Sequence, residues 1–250
     1  MHALSAIPIP GLPRVQPGDD LPSLLVEAIR ASGSVLESRD VVAVCQKVVS
    51  KAEGRVVDLT SVQVSTLAGR VAASIGKDPR LVEVILSETN RIVRMTEGHL
   101  ICETGPGWIC ANAGVDESNG VAPGTVTLLP EDADASAERL RAALVAATCV
   151  HVGTVVTDTF GRPWRDGLVE VALGVAGIGA FLDLRGHSDL TGRELHNTVL
   201  AVGDQIAAAA GLLMVKDSGV AAVIVRGVSW AATHGRGRDL VRPRALDLFR

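Results

Sequence analysis

Two kinds of apolar pattern alternate along this chain. Short runs dense in valine, at 41–45, 125–129, 152–156 and in the stretch ending at Arg226, are bounded by turn residues and are predicted as buried strands. Between them lie segments whose apolar residues recur at helical spacing: LPSLLVEAIRAS after Asp19 and Asp20, 59–75, 79–88, 132–149 and about 197–214. Pro22 suits the first turn of the first helix and Gly33 its end. Asp132, Asp134 and Ser136 are capping candidates for the helix at 132–149. Residues 91–95 and 99–104 predict two strands, TGPG at 104–107 a hairpin turn, and Trp108 to Cys110 a third short strand. The mixture gives an α+β class, with mixed sheets, packed helices and a single domain over 1–250 built as two lobes interleaved in sequence. A parallel crossover through the helix at 132–149 would place 125–129 and 151–156 in one sheet.

The run at 152–156 ends in Thr157-Asp158-Thr159, followed by Gly161, Arg162, Pro163, Trp164, Arg165, Asp166 and Gly167. Proline and the glycines predict a loop here, so an acid, hydroxyls and two arginines sit where a rigid strand spills out. Two readings stand side by side: a polar turn capped by Asp158, or a ligand mount. Residues 111–124, ANAGVDESNGVAPG, are the second polar cluster. Asn112, Asp116, Glu117, Ser118 and Asn119 offer oxygen donors that suit Mg²⁺ or Mn²⁺ better than zinc, and the spacing is not that of an EF-hand. An Asx-rich turn would use the same residues.

The charged residues sharpen this picture. Only four lysines stand against twenty arginines. Lys47 and Lys51 follow the strand at 41–45 and share a face whether QKVVSKA is strand or helix, which suits either a phosphate-facing pair or a solvated edge. The fourth lysine, Lys216, precedes the last valine-rich strand. With a net charge of −4, no tyrosine, three Phe and three Trp, the chain lacks the basic stripes and stacking platforms of nucleic-acid modules. The 47% apolar content calls for a membrane check, but Glu170 and Asp183 interrupt the longest apolar region, Leu168 to Leu184. The start has no basic, long-apolar leader pattern, so the cytoplasm is the expected place. Cys45, Cys102, Cys110 and Cys149 form no C-x-x-C pair and read as buried free thiols. The glycines of LGVAGIG lack the following helix that a dinucleotide fingerprint requires and read as close sheet packing.

In order along nearly the whole chain, GLP…GDDL, VVSKAEGR, NAGVDESN, VTDTFGRPWRDG, TGREL, DQIAAAAGLLM, VIVRG and RDLVRP resemble the coenzyme F-420-0:L-glutamate ligase (F-420 γ-glutamyl ligase) family. The resemblance implies a GTP-dependent ligase that joins L-glutamate to the carboxylate of the coenzyme F-420 precursor through an acyl phosphate, and that can add further γ-linked glutamates. It implies Mg²⁺ or Mn²⁺, a monovalent cation such as K⁺, a homodimer, and the family's own α+β fold. It also implies the stand-alone form, without the C-terminal nitroreductase-like domain that some members carry. By resemblance Asp116, Asp158 and Thr159 would hold metal. Leu12, Pro13, Arg14, Val15 and Asn119 would contact GTP, and Lys51 its phosphates. Where members often carry small hydroxyl residues before VVSK, this chain has Gln46 and Lys47, the latter able to serve a phosphate directly. After the LLM helix it has Val215-Lys216-Asp217-Ser218-Gly219 in place of a glycine-rich acidic stretch. Arg162 and Arg165 are expected to bind a carboxylate or phosphate of the substrates, because arginine binds such groups in bidentate fashion. The competing expectations are a related acid–amino acid ligase with another acceptor and a non-catalytic nucleotide-binding homologue.

Overall fold

The computed structural model describes residues 3–231 and 233–248. Its first half runs β1 (Ser5–Pro8), α1 (Leu21–Ala31), β2 (Val41–Cys45), α2 (Gln46–Ala52), β3 (Val56–Asp58), α3 (Thr66–Ile75) and α4 (Pro79–Ser87), then β4 (Thr89–Thr96), β5 (His99–Thr104), β6 (Ile109–Ala111) and β7 (Thr125–Thr127). The second half runs α5 (Ala133–Thr148), β8 (Gly153–Arg162), β9 (Arg165–Ala176), β10 (Leu182–Asp183), β11 (Val199–Leu200), α6 (Val202–Gly211) and β12 (Ala222–Arg226). The class is α+β, as the pattern of the chain predicts.

A five-stranded sheet in the order β1-β12-β2-β8-β9 forms the centre. β2 and β8 are parallel and the other pairs antiparallel. Strand side chains alternate between faces. Val42, Val44 and Val156 therefore pack with Leu25 of α1 and with Leu140 and Leu144 of α5 on one side. Val41, Ala43 and Val155 pack with Ile206 and Ala207 of α6 on the other. Because both faces are covered, the central strands read as unbroken apolar runs rather than as alternating ones. A second core, between α3, α4 and the β4-β5-β6 sheet, gathers Val71, Ile75, Leu81, Ile85, Leu100 and Cys102.

Capping fixes the helix starts. The Asp20 carboxylate accepts from the Ser23 N–H at 3.3 Å to open α1, and that of Asp132 accepts from the Ala135 N–H at 3.0 Å to open α5. The helix predicted over 59–75 begins only at Thr66, where the Ser65 hydroxyl takes the Ala68 N–H. The segment predicted over about 197–214 is helical only at Val202–Gly211, because Val199 and Leu200 are drawn into pairing with Asp183 and Leu182. QKVVSKA is helical. The expectation that 125–129 and 151–156 share a sheet is overturned: β7 pairs with β3, and the parallel neighbour of β8 is β2. Cys149 is exposed rather than buried, since it terminates α5 in the left-handed region at φ 58°. In the tail, short 3₁₀ turns form at Gly237–Leu240 and Arg244–Leu246, and Phe249 and Arg250 lie outside the described residues. Among the described residues no helix is long and apolar enough to cross a membrane.

The start of α5 lies directly on β9. A Cβ built on Gly174 would stand 1.9 Å from the Ala133 carbonyl oxygen, and one residue on, the Val175 N–H donates to the Asp134 carboxylate at 2.9 Å. Backbone cannot yield as a flexible side chain can. Gly174→Ala is expected to lower the unfolding free energy by at least about 2 kcal/mol, the scale of core overpacking. Urea denaturation checks this, and wild-type stability in the variant would show that α5 can lift off β9 at little cost.

Candidate functional site

A deep cavity lies beyond the carboxyl ends of the parallel pair, where ligands gather in open sheets. β2 stops at Cys45, opposite Thr157, and turns directly into α2. β8 continues to Arg162, past a bulge between Val156 and Thr157. Asp158, Thr159, Phe160 and Gly161 thus line a cavity of about 690 Å³ along a strand that has lost its parallel neighbour.

The expected loop at 157–167 is therefore a long hairpin. Arg162 pairs with Arg165 across a turn of only two residues, Pro163 and Trp164. Proline's missing N–H is harmless in that turn, and the β-branched and apolar residues on either side favour strand. The correction has a consequence for the arginines. Both are exposed, on the tip of the hairpin rather than in the cavity wall, and the Arg162 guanidinium donates to the Asp166 carbonyl at 3.3 Å.

α2 supplies the cationic side. Lys47 and Lys51 stand one helical turn apart and face the 112–119 loop. The Lys47 ammonium donates to Asp116 Oδ2 at 2.8 Å, to Ser118 Oγ at 2.7 Å and to the Ser118 carbonyl at 3.0 Å. Lys51 donates to the Asn119 carbonyl at 2.6 Å. The loop is held from behind as well. Asp116 exchanges backbone hydrogen bonds with Thr127 at 2.9 and 3.0 Å, and its Oδ1 accepts from the Ser118 N–H at 2.6 Å. Gly114 cannot be replaced without strain: φ is 76°, and a Cβ would meet Leu129 at 2.4 Å. Asp116 and Asp158 do come together at one cavity, but through α2 and this loop rather than through a shared sheet.

Leu12, Pro13, Arg14 and Val15 contribute another wall, and Asn119 and Thr159 line the cavity too. Gln46 does not. It is buried behind the wall, where its Oε1 accepts the Ser50 hydroxyl at 2.8 Å and its amide lies 3.5 Å from Asp158. Sequence reasoning missed Glu170 and the part played by Ser118. Glu170 had a signal, a lone acid within the apolar strand LVEVALGV, since an acid in a covered strand needs a reason. Lys216 lies 3.8 Å from Asp116, and its carbonyl accepts from the Asn119 amide at 3.3 Å.

The electrostatics divide the two aspartates. Burial works against the Asp116 anion, but Lys47 and the Ser118 N–H outweigh it and hold its pKa below the ordinary value. Asp158 is pushed up from 3.8 to about 7, first by desolvation, then by repulsion from Glu170 and Asp116, against partial relief from the Thr159 N–H and Gln46. Desolvation and the neighbouring Lys47 and Arg14 lower the pKa of Lys51, the mark of several cations focused on one space. Burial raises the Cys45 and Cys110 thiols to about 11 and about 12, so neither is a thiolate nucleophile at neutral pH. Among the described residues no three His, Cys, Asp or Glu side chains converge as a ready-made metal cage. Carboxylates in ones and twos beside a cationic wall instead fit a hard cation that shares its coordination with phosphate oxygens.

Fold and cavity together define an α+β protein whose cleft, at the end of a parallel strand pair, is lined by both lysines and carboxylates. A family model described as F420-0:Gamma-glutamyl ligase matches residues 11–227. A protein of Methanothermobacter thermautotrophicus named coenzyme F420:L-glutamate ligase is 44% identical over 250 residues, covering 99% of each chain. Proteins of the same name from Methanopyrus kandleri (46% identical, 97% of this chain and 96% of the relative) and Archaeoglobus fulgidus (40%, 99% and 96%) are also similar. The chain belongs to the F420-0:gamma-glutamyl ligase family.

The raised pKa of Asp158 has a sign that can be tested. An acid whose folded pKa lies above its unfolded value binds more protons when folded, so ionising it costs stability. That cost is absent below pH 3.8, grows as pH rises towards about 7, and is constant above. Every tenfold difference in proton affinity between the folded and unfolded chain corresponds to about 1.4 kcal/mol. In metal-free protein Asp158→Asn is therefore expected to raise the melting temperature at pH 8 and to leave it unchanged near pH 4. A difference that does not depend on pH would show that Asp158 ionises freely.

Proposed function

We propose that this chain is a GTP-dependent ligase that joins L-glutamate to the carboxylate of a coenzyme F420 precursor. The relatives' shared name supports the reaction class, and one observation carries the site: Arg14, Lys47 and Lys51 line the same cavity as Asp116 and Asp158. A carboxylate does not accept an amine, because oxide is too poor a leaving group. Transfer of a terminal phosphoryl group from GTP to that carboxylate gives an acyl phosphate and GDP. The glutamate amine then attacks the acyl carbon, phosphate departs, and the amine nitrogen loses a proton. Such transfers need alignment and charge neutralisation more than covalent help from the protein.

In this reading Lys51 and Arg14 bind nucleotide phosphates, with Leu12, Pro13 and Val15 as the wall beside them. Lys47 keeps the 116–119 loop in place and shares its positive charge with the phosphates. Asp116, Asp158 and the Thr159 hydroxyl would hold Mg²⁺ or Mn²⁺, which supplies charge neutralisation at the transferring phosphoryl group. The cavity volume, about 690 Å³, falls within the range of small-molecule sites.

Purified protein given the precursor, L-glutamate, GTP and Mg²⁺ or Mn²⁺ is expected to yield GDP, phosphate and a product heavier by one glutamate. A mass-spectrometric time course reads acceptor and number of glutamates together, and no glutamate addition with all four components present overturns the proposal. Lys51→Ala is expected to weaken GTP binding by at least about tenfold, roughly 1.4 kcal/mol. Calorimetric titration gives that affinity, and an unchanged value would remove Lys51 from the nucleotide site.

A further inference from the structure

Two chain crossings join the second core to the rest of the protein. The buried residues of that core run from Leu59 to Leu128. Val49 of α2, before them, packs against the five-stranded sheet, and Leu129, after them, packs with Leu173 of β9. The outgoing and returning segments form the two-stranded ribbon β3-β7, with Val56 opposite Thr127 and Asp58 opposite Thr125. A ribbon of two strands is marginal by itself, and hinges form at a few element-terminal residues of this kind.

Arg55 stands at the base of the ribbon and grips both crossings. Its carbonyl accepts the Leu128 N–H at 2.9 Å, and its Nε donates to the Leu129 carbonyl at 3.0 Å. Its own N–H donates to the Ser50 carbonyl of α2 at 2.8 Å. The far edge of the guanidinium reaches into the second core, where Nη2 donates to Glu88 Oε2 at 2.6 Å at the carboxyl end of α4. That pair is partly buried, with side chains 20% and 25% exposed. The Glu131 side chain, 3.4 Å away, is 81% exposed and adds little. Glu53, two residues earlier, ties the end of α2 to α5, its Oε1 accepting the Ser136 hydroxyl at 2.6 Å. The end of α2 is thus fixed to the main sheet's helix layer, and the second core is fixed to α2.

Cations spaced four residues apart make that second connection. Lys47 and Lys51 meet Asp116, Ser118 and Asn119 at the cavity, whereas Arg55 meets Glu88 outside it. An anion that enters the cavity competes for the two lysines and not for Arg55. We infer that Arg55 is a positioning residue: pinned to Glu88 and to both crossings, it keeps the 112–119 loop aligned with α2 while the lysines turn to the ligand. A lysine could satisfy one of these acceptors but lacks the planar fork that spans several. That the ligand is a nucleotide undergoing phosphoryl transfer rests on the ligase reading; the pin itself rests on the crossings.

Hydrogen exchange without ligand tests the pin. Arg55→Met is expected to speed exchange of the amides in 56–58 and 125–128 by at least about tenfold, with those of β2 and β8 unchanged. Unchanged exchange at the crossings overturns the inference, and so does equal quickening in β2 and β8, which marks a loss of global stability alone. Turnover tests the positioning. Misalignment acts on the chemical step, while Arg14 and Lys51 stay in place to bind nucleotide. Well below its melting temperature, Arg55→Met is therefore expected to lower kcat by at least about tenfold and to leave the KM for GTP within about threefold. Arg55→Lys is expected to recover part of the lost kcat. An Arg55→Met enzyme with a lower melting temperature and intact kcat removes the positioning role. Should Arg55→Met fail to fold, Glu88→Gln takes the charge from the other end and is expected to lower kcat by about threefold at constant KM. Wild-type kcat in that variant also overturns the inference. Quickened exchange at the crossings in a protein whose wild type forms no ligation product would remove the ligase reading and leave the pin.

Discussion

The unequal length of two parallel strands governs the site. β2 and β8 run side by side from Val41 and Gly153 to Cys45 and Thr157, buried on both faces. β2 then becomes α2 with no intervening loop, while β8 continues with β9 alone. A strand edge without its neighbour has to face something. Here it faces a cavity, and the first residues beyond the shared register are Asp158 and Thr159. The same turn from strand to helix aims Lys47 and Lys51 at the 116–119 loop. Position in the sheet and sign of charge are therefore set together by where β2 ends.

That geometry places a neutralised acid and an unneutralised one in the same cleft. Asp116 receives an ammonium and a backbone N–H, and stays an anion despite burial. Asp158 receives a backbone N–H, a distant amide and two like charges, and is held near the proton's affinity at neutral pH. The contrast comes from neighbours, not residue type. The two acids of one cleft therefore titrate apart, Asp116 below the ordinary carboxylate value and Asp158 near 7.

Much of this is legible from the residues. Valine runs mark the central strands, the aspartates mark the starts of α1 and α5, and the i, i+4 spacing puts Lys47 and Lys51 on one face before helix and strand can be told apart. The polar runs at 111–124 and 157–159 are visible as clusters. Their meeting is not derivable, because it depends on a loop anchored to Thr127 and on a long-range parallel pairing, neither of which leaves a local signal. The hairpin at Pro163-Trp164 reads in sequence as a longer loop for a local reason. Proline and glycine mark the turn but not its length, and a two-residue turn carries Arg162 and Arg165 past the cavity. Gln46 shows the opposite limit: next to Lys47 in sequence, it points to the other side of the wall, since adjacent helical residues diverge by about 100°.

Glu170 escapes a sequence reading because a single acid in a valine-rich strand does not disturb the pattern that identifies the strand. Its meaning emerges only from the charges around it. An acid buried beside a second acid costs free energy in the absence of a partner, and selection for stability alone would favour an apolar residue at a covered strand position. Here the side chain is held over Gly211, one oxygen taking the Thr159 hydroxyl and the other without a hydrogen-bond partner among the described residues, at the wall of the cleft that Lys47 and Lys51 also line. An acid is kept at this point of the sheet at a cost in stability that an apolar residue would not carry.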